Sequence, residues 1–296
     1  MDSVSFGQLK VREITIGDRP DFLRPTHISF FTFSNIFSWR HAMNYRIADI
    51  CGHNIIIGKY RDEPFTLLYP FHLDGISVAE ILASVKNILK DEKVMLVPLL
   101  EDQLCEIKNT FPHAEIFPSE DLFDYIYSTE DLIFLKGKRF HQKRNHLNGF
   151  LSKYPYEYVE VHSGNDEAKK LLKEASELLY THSSDPDLID EHVEINELIE
   201  NFDFLGLVAG IILVDKRPAA YSIGERISDD MALIHIEKAD RSFSGAYAAI
   251  NKMFAEREFS DTVFINREED MGLEGLRKAK LSYHPIKLGR YYTALI

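Results

Sequence analysis

Two stretches of the chain share one alternation of apolar and charged positions. Asn54–Tyr69 holds an aliphatic run, the charged residues Arg61, Asp62 and Glu63, then Pro64 and a second extended run. Gly210–Ile223 repeats this with Asp215, Lys216, Arg217 and Pro218. Each pattern predicts a hairpin. The first is followed by a predicted helix from Ile76 to Leu89 and a strand from Val94 to Leu99; the second by a helix opening at Gly245 and a strand from Thr262 to Ile265. Each half then continues with another helix and a last extended segment. The repeated β-β-α-β-α-β order predicts two tandem copies of one mixed-sheet α/β fold. The expected domains are 1–135 and 136–296. Their junction falls near Thr129–Gly137, where Ser128-Thr-Glu-Asp reads as a helix start and Gly137 as a stop.

Helical spacing locates charged residues on apolar faces. Over Phe140–Tyr154, Phe140, Leu147, Phe150, Leu151 and Tyr154 fall on one stripe at about 100° per residue. Lys143 lies inside that stripe, Arg144 at its edge, and Lys138 is expected to reach solvent. A merely solvated basic run would turn its cations away, so Lys143 and Arg144 are expected to meet either a carboxylate of the protein or an anionic ligand such as a phosphate or an RNA backbone. Further on, Leu273, Leu276 and Ala279 form a predicted buried stripe with Lys280 on it. On the extended run from Leu233, His235 and Glu237 share a face. Asn266, Arg267, Glu268 and Asp270 follow the next strand, where they either line a cleft or cap the coming helix.

Composition narrows the chemistry. A formal charge of −13 and a pI near 5.4 argue against a general nucleic-acid coat. The two cysteines have no CxxC spacing and the N-terminus lacks the features of a signal peptide, so the cytoplasm is the expected compartment. The apolar run Phe204–Val214 is about half of the ~20 residues a membrane helix needs, and no transmembrane segment is expected. His141 and His146 are off a common helix face and there is no His-Glu-x-x-His cluster, so no metal is expected. Serine and cysteine nucleophile motifs are lacking as well, which favours direct transfer without a covalent enzyme intermediate. The acidic stretch Asp185–Glu200 is either a solvated face or an attraction for a cationic amine.

Between the strand ending at Lys238 and the helix at Ala246 lies Arg241-Ser242-Phe243-Ser244-Gly245-Ala246. Such a loop at a helix N-terminus favours an anion. It resembles the pyrophosphate loop of the Gcn5-related N-acetyltransferase (GNAT) fold, with Ser244 where a glycine is usual. Two longer segments, Asp124–Phe150 and Thr262–Pro285, resemble signatures of the phosphatidylglycerol lysyltransferase C-terminal family. The resemblance implies a tandem GNAT-like acyl- or aminoacyltransferase with an amine or hydroxyl acceptor. Its donor would be aminoacyl-tRNA, with a lipid headgroup as acceptor; the loop suits a coenzyme A thioester, with a small-molecule acceptor. In the resembled acetyltransferases the end of the Glu237 strand borders the acceptor, making Glu237 a candidate base, and Tyr283 is placed like the tyrosine that protonates the leaving group. Arg241–Ala246 would hold the donor, and Lys143, Arg144, Asn266, Arg267 and Lys280 would contact substrate. Asp74 in the corresponding loop of the first copy would repel a diphosphate, which assigns the donor to the second copy. A ligand-binding or regulatory module that kept the fold without turnover is the alternative.

Overall fold

A computed structural model describes residues 6–22, 25–68, 78–90, 92–180 and 184–296. Asp74 and its loop lie outside them. The chain divides into two compact units, one of residues 1–24, 30–123 and 290–296 and the other of 25–29 and 124–289.

In chain order the first half holds β1 (Val11–Glu13), α1 (Arg19–Phe22), α2 (Phe33–Ser38), β2 (Arg46–Ile50), β3 (His53–Lys59), β4 (Phe65–Leu68), α3 (Val78–Leu89), β5 (Val94–Leu99), α4 (Leu104–Thr110), β6 (Glu115–Pro118) and β7 (Asp124–Ser128). The second holds α5 (Thr129–Phe134), α6 (His141–Lys153), β8 (Tyr156–Val161), α7 (Asp166–Leu179), α8 (Pro186–Glu200), α9 (Phe202–Leu205), β9 (Val208–Val214), β10 (Arg217–Arg226), β11 (Met231–Ala239), α10 (Ala246–Glu258), β12 (Phe264–Asn266), α11 (Glu274–Leu281), β13 (Lys287–Gly289) and β14 (Tyr292–Leu295).

The two sheets have one plan. The first unit's order is β1-β2-β3-β4-β5-β14-β6 and the second's, read from its other edge, is β8-β9-β10-β11-β12-β7-β13. In each, four antiparallel strands lead through a helix to a strand that pairs in parallel, β5 on β4 and β12 on β11. These are two GNAT-like mixed α/β sheets in tandem. The repeat is offset from the one the hydrophobic pattern suggested. By position in the sheet, the hairpin β3–β4 corresponds to β10–β11, and β9–β10 corresponds to β2–β3. Both aliphatic hairpins satisfy the same pattern, and only strand pairing distinguishes them.

The seventh strand of each sheet comes from the other half of the sequence. β14 enters between β5 and β6, and β7 enters between β12 and β13. The main segment of the second unit therefore runs from Asp124 instead of from 136, because the backbone bonds of β7 are made with β12 and β13, and α5 goes with it.

Strands β9 and β10 are buried at nearly every position, so both faces need cover. Helices α10, α5 and α6 supply it on one face, where Leu132, Phe150 and Phe254, with Phe140 just before α6, cluster with Ile212, Val214 and Ile234 of the strands. Helices α7 and α8 lie over the other. In the first unit α3 buries Val78, Ile81, Leu82, Val85 and Leu89 against its own sheet. Among the described residues no helix is long and apolar enough to cross a membrane.

Candidate functional site

The second unit gathers its polar chemistry where β11, β12, α6, α10 and the turn after α11 meet. Glu237, near the end of β11, is mostly buried, and both carboxylate oxygens are engaged. Arg267 donates through Nη2 to Oε1 at 3.0 Å, and Asn251 donates through Nδ2 to Oε2 at 3.0 Å. Burial opposes the charge of Arg267, but the Glu237 carboxylate together with Tyr127 and Tyr283 outweighs this and raises its pKa. The guanidinium lies over two aromatic rings, 4.9 Å from the Tyr283 centroid and 5.5 Å from that of Tyr127. The Lys143 ammonium, reaching in from α6, lies 3.8 Å from the Tyr283 centroid. Burial and the nearby Arg267 charge lower Lys143 to about 8, against the pull of Glu237. Tyr283 is buried; desolvation and Glu237 raise its pKa, which keeps its hydroxyl protonated.

Two atoms here are unsatisfied. Asn251 Oδ1 and Arg267 Nη1 are buried and have no hydrogen-bond partner among the described residues. A buried polar group left unpaired costs about 1–3 kcal/mol, so an orphan acceptor and an orphan donor on the two residues that flank one carboxylate suit a ligand that offers both.

The remaining residues singled out from sequence have other roles. Asn266 is fully buried: Nδ2 donates to Asp124 at 2.7 Å and to the His27 carbonyl at 3.3 Å, while Oδ1 accepts from the Glu268 amide. It ties segments together and contacts no open surface. Lys280 is buried and donates to the carbonyls of Arg267 and Glu269, closing the turn that carries Arg267; burial lowers its pKa. Arg144 is half-buried but donates to the carbonyls of Leu135 and Gly137, beyond the C-terminal end of α5. The polar groups of these three, expected to contact substrate, are bonded within the protein. Lys143 and Arg144 do face inward, and Lys138 is exposed. The α6 stripe holds except for Leu151, which is 39% exposed; the expected α11 stripe does not, since Leu273 and Ala279 are exposed and Leu276 half-buried, α11 being held by Lys280 and by an Arg277–Asp270 ion pair at 2.7 Å in place of an apolar face.

The loop 241–246 is closed on itself. Ser242 donates its N–H to Asp240 Oδ1 at 2.8 Å, and the amides of Phe243 and Ala246 bond to the carbonyls of Asp240 and Phe243. The hydrogen bonds from Ser242 and the nearby Arg217, paired with it at 3.0 Å, hold Asp240 below the usual carboxylate range. Gly245 has φ +88°, and a Cβ on it would run into the His146 carbonyl of α6. Arg241 is exposed.

Sequence reasoning missed Asn251, Tyr127 and the surroundings of His235. Asn251 is the polar interruption in Ala248-Ala249-Ile250-Asn251, a signal that was there to be read. Protonated His235 donates through Nδ1 to Glu268 at 3.0 Å and through Nε2 to Glu225 at 3.1 Å. Burial would push it down, but those hydrogen bonds raise it to about 10. Glu194 on α8 is also buried, and desolvation together with Glu268 raises its pKa well above the ordinary value.

The chain resembles several known proteins. A structure of a conserved protein from Bacteroides thetaiotaomicron is 29% identical with a TM-score of 0.82, covering 98% of this chain and 100% of that one. The C-terminal domain of a lysylphosphatidylglycerol synthetase from Agrobacterium fabrum superposes with a TM-score of 0.65 at 11% identity, covering 95% and 90% of the two chains. The L-PGS structure from Bacillus licheniformis follows at 0.57 and 12%, covering 84% and 83%. An uncharacterized protein of Mycoplasmoides gallisepticum is 24% identical over 192 residues, 60% of this chain and 58% of the length of that relative. Residues 23–294 match the C-terminal family of phosphatidylglycerol lysyltransferases, and the chain belongs to that family.

Proposed function

We propose that the second unit transfers an aminoacyl group from an ester donor to a hydroxyl or amine. The observation that carries this reading is the pair of orphan atoms beside Glu237. An aminoacyl ester presents an ammonium, which can donate to Asn251 Oδ1, and an ester carbonyl, which can accept from Arg267 Nη1. As the acceptor attacks, negative charge develops on that carbonyl oxygen, and a guanidinium N–H would stabilise it. Lys143, lowered to about 8, has a neutral fraction near physiological pH and takes the acceptor's proton. Tyr283, kept protonated, donates to the leaving oxygen. Glu237, with both oxygens engaged, holds Arg267 and Asn251 in place, a different role from the base expected of it. The group passes directly from donor to acceptor.

An aminoacyl-tRNA fits better than a coenzyme A thioester. The Asp240 carboxylate already accepts from the Ser242 amide that a diphosphate would need. Family membership favours a phosphatidylglycerol headgroup as acceptor. The test supplies labelled lysyl-tRNA with phosphatidylglycerol vesicles and, separately, labelled acetyl-CoA with amines. Labelled lipid that vanishes in Lys143→Met is expected. Transfer from acetyl-CoA alone would overturn the donor assignment, and lipid labelling that persists in both Lys143→Met and Arg267→Gln would overturn the site.

A further inference from the structure

A second cluster lies at the edge of the same sheet, outside the site above. Glu160 is in β8, the edge strand; His162 follows two residues later; Glu258 is the last residue of α10, about 10 Å along the helix from Asn251. One ligand atom from each lies within 4.8 Å of the other two. His162 Nε2 is 3.8 Å from Glu160 Oε2 and 3.5 Å from Glu258 Oε2.

Those separations are informative. A charge-assisted hydrogen bond closes to about 2.7–2.9 Å. In the same unit His235 sits 3.0 and 3.1 Å from its two carboxylates. The His162 contacts are longer than hydrogen bonds; the one to Glu258 matches the edge of a tetrahedron whose ligands stand about 2.0–2.1 Å from a central ion, roughly 3.3–3.5 Å, and the exposed Glu160 would need to close in slightly to complete it.

Glu258 gives an independent reason. Its side chain is only 3% exposed, and Tyr158 donates to it at a slack 3.4 Å. A buried carboxylate at a helix C-terminus faces the negative end of the helix dipole, which a cation relieves. The nearby Arg257 is exposed and stands 3.6 Å from the other oxygen of Glu160, so it meets Glu258 only at longer range.

We infer that Glu160, His162 and Glu258 form a binding site for a divalent transition-metal ion such as zinc, with one position open to solvent. Two carboxylates and one imidazole match the ligand preferences of that class. The ion would pin edge strand β8 to the end of α10. Sequence spacing conceals the site because its third ligand lies far along the chain from the first two.

The test uses tag-free protein stripped with chelator, titrated with Zn2+ by calorimetry and with Co2+ by visible absorption. One equivalent should bind, with the intense bands of tetrahedral cobalt and a raised Tm. Glu160→Gln and His162→Ala, both at exposed positions that leave folding intact, should each weaken Zn2+ binding at least tenfold and remove the Tm increase, as should Glu258→Gln. His113→Ala, elsewhere in the chain, should leave affinity unchanged. No saturable binding to the wild type, or equal affinity in the Glu160 and His162 variants, would overturn the inference.

Discussion

Replacing Glu237 by alanine should destabilise the second unit far more than its position at a strand end suggests. Glu237 and Arg267 each have side chains only 11% exposed, so removing the carboxylate strands a buried guanidinium. Breaking one partner of a buried pair costs about 3–5 kcal/mol. The residual exposure puts the ionic part near the lower end, and the loss of Asn251's partner adds about 1 kcal/mol, for an expected total of roughly 3–5 kcal/mol. Replacing both residues, Glu237→Ala with Arg267→Met, should recover about 2 kcal/mol or more of the summed single losses, since no charge is then left stranded. Urea unfolding followed by far-UV circular dichroism measures this. The single tryptophan, Trp39, lies in the first unit, so its fluorescence gives a separate record of that unit. A cost below about 1 kcal/mol for Glu237→Ala, or single losses that simply add, would show that the pair does not organise the site.

Three other outcomes are expected. His235 is raised from 6.5 to about 10, so its stabilisation is complete below pH 6.5 and is lost as pH rises through 10, with a ceiling of roughly 5 kcal/mol; the urea midpoint of wild type should fall over that window relative to His235→Gln, and parallel curves would contradict it. Lys143, near 8, should give a transfer rate that climbs as pH passes 8, a limb that Lys143→Met eliminates; an unchanged profile in that variant would remove Lys143 as the base. Gly245→Ala should cost about 2–4 kcal/mol by thermal unfolding, because it places a Cβ in a left-handed conformation and against the His146 carbonyl; a change below about 1 kcal/mol would mean that α6 is free to move away.

Local periodicity was enough to place the aliphatic strands, the helices after them, the repeated α/β order and the inward turn of Lys143, because each depends on which residues a single element must bury. Quoted motifs were enough for the family. Partners distant in sequence were not legible. The strand pairing that separates β9–β10 from β10–β11, and the entry of β7 and β14 into sheets begun by the other half, follow from which backbone edges are left to fill. Lys280 and Asn266 carry polar groups that look ready for substrate, and only the fold showed them spent on carbonyls and on Asp124. Asn251 and Arg267 stand sixteen positions apart in the chain, and it took the convergence of β11, α10 and β12 on Glu237 to reveal that each keeps an unpaired atom. A sequence specifies what each element buries; satisfaction of a buried polar atom depends on which other element arrives beside it, and that is settled only when the layers close.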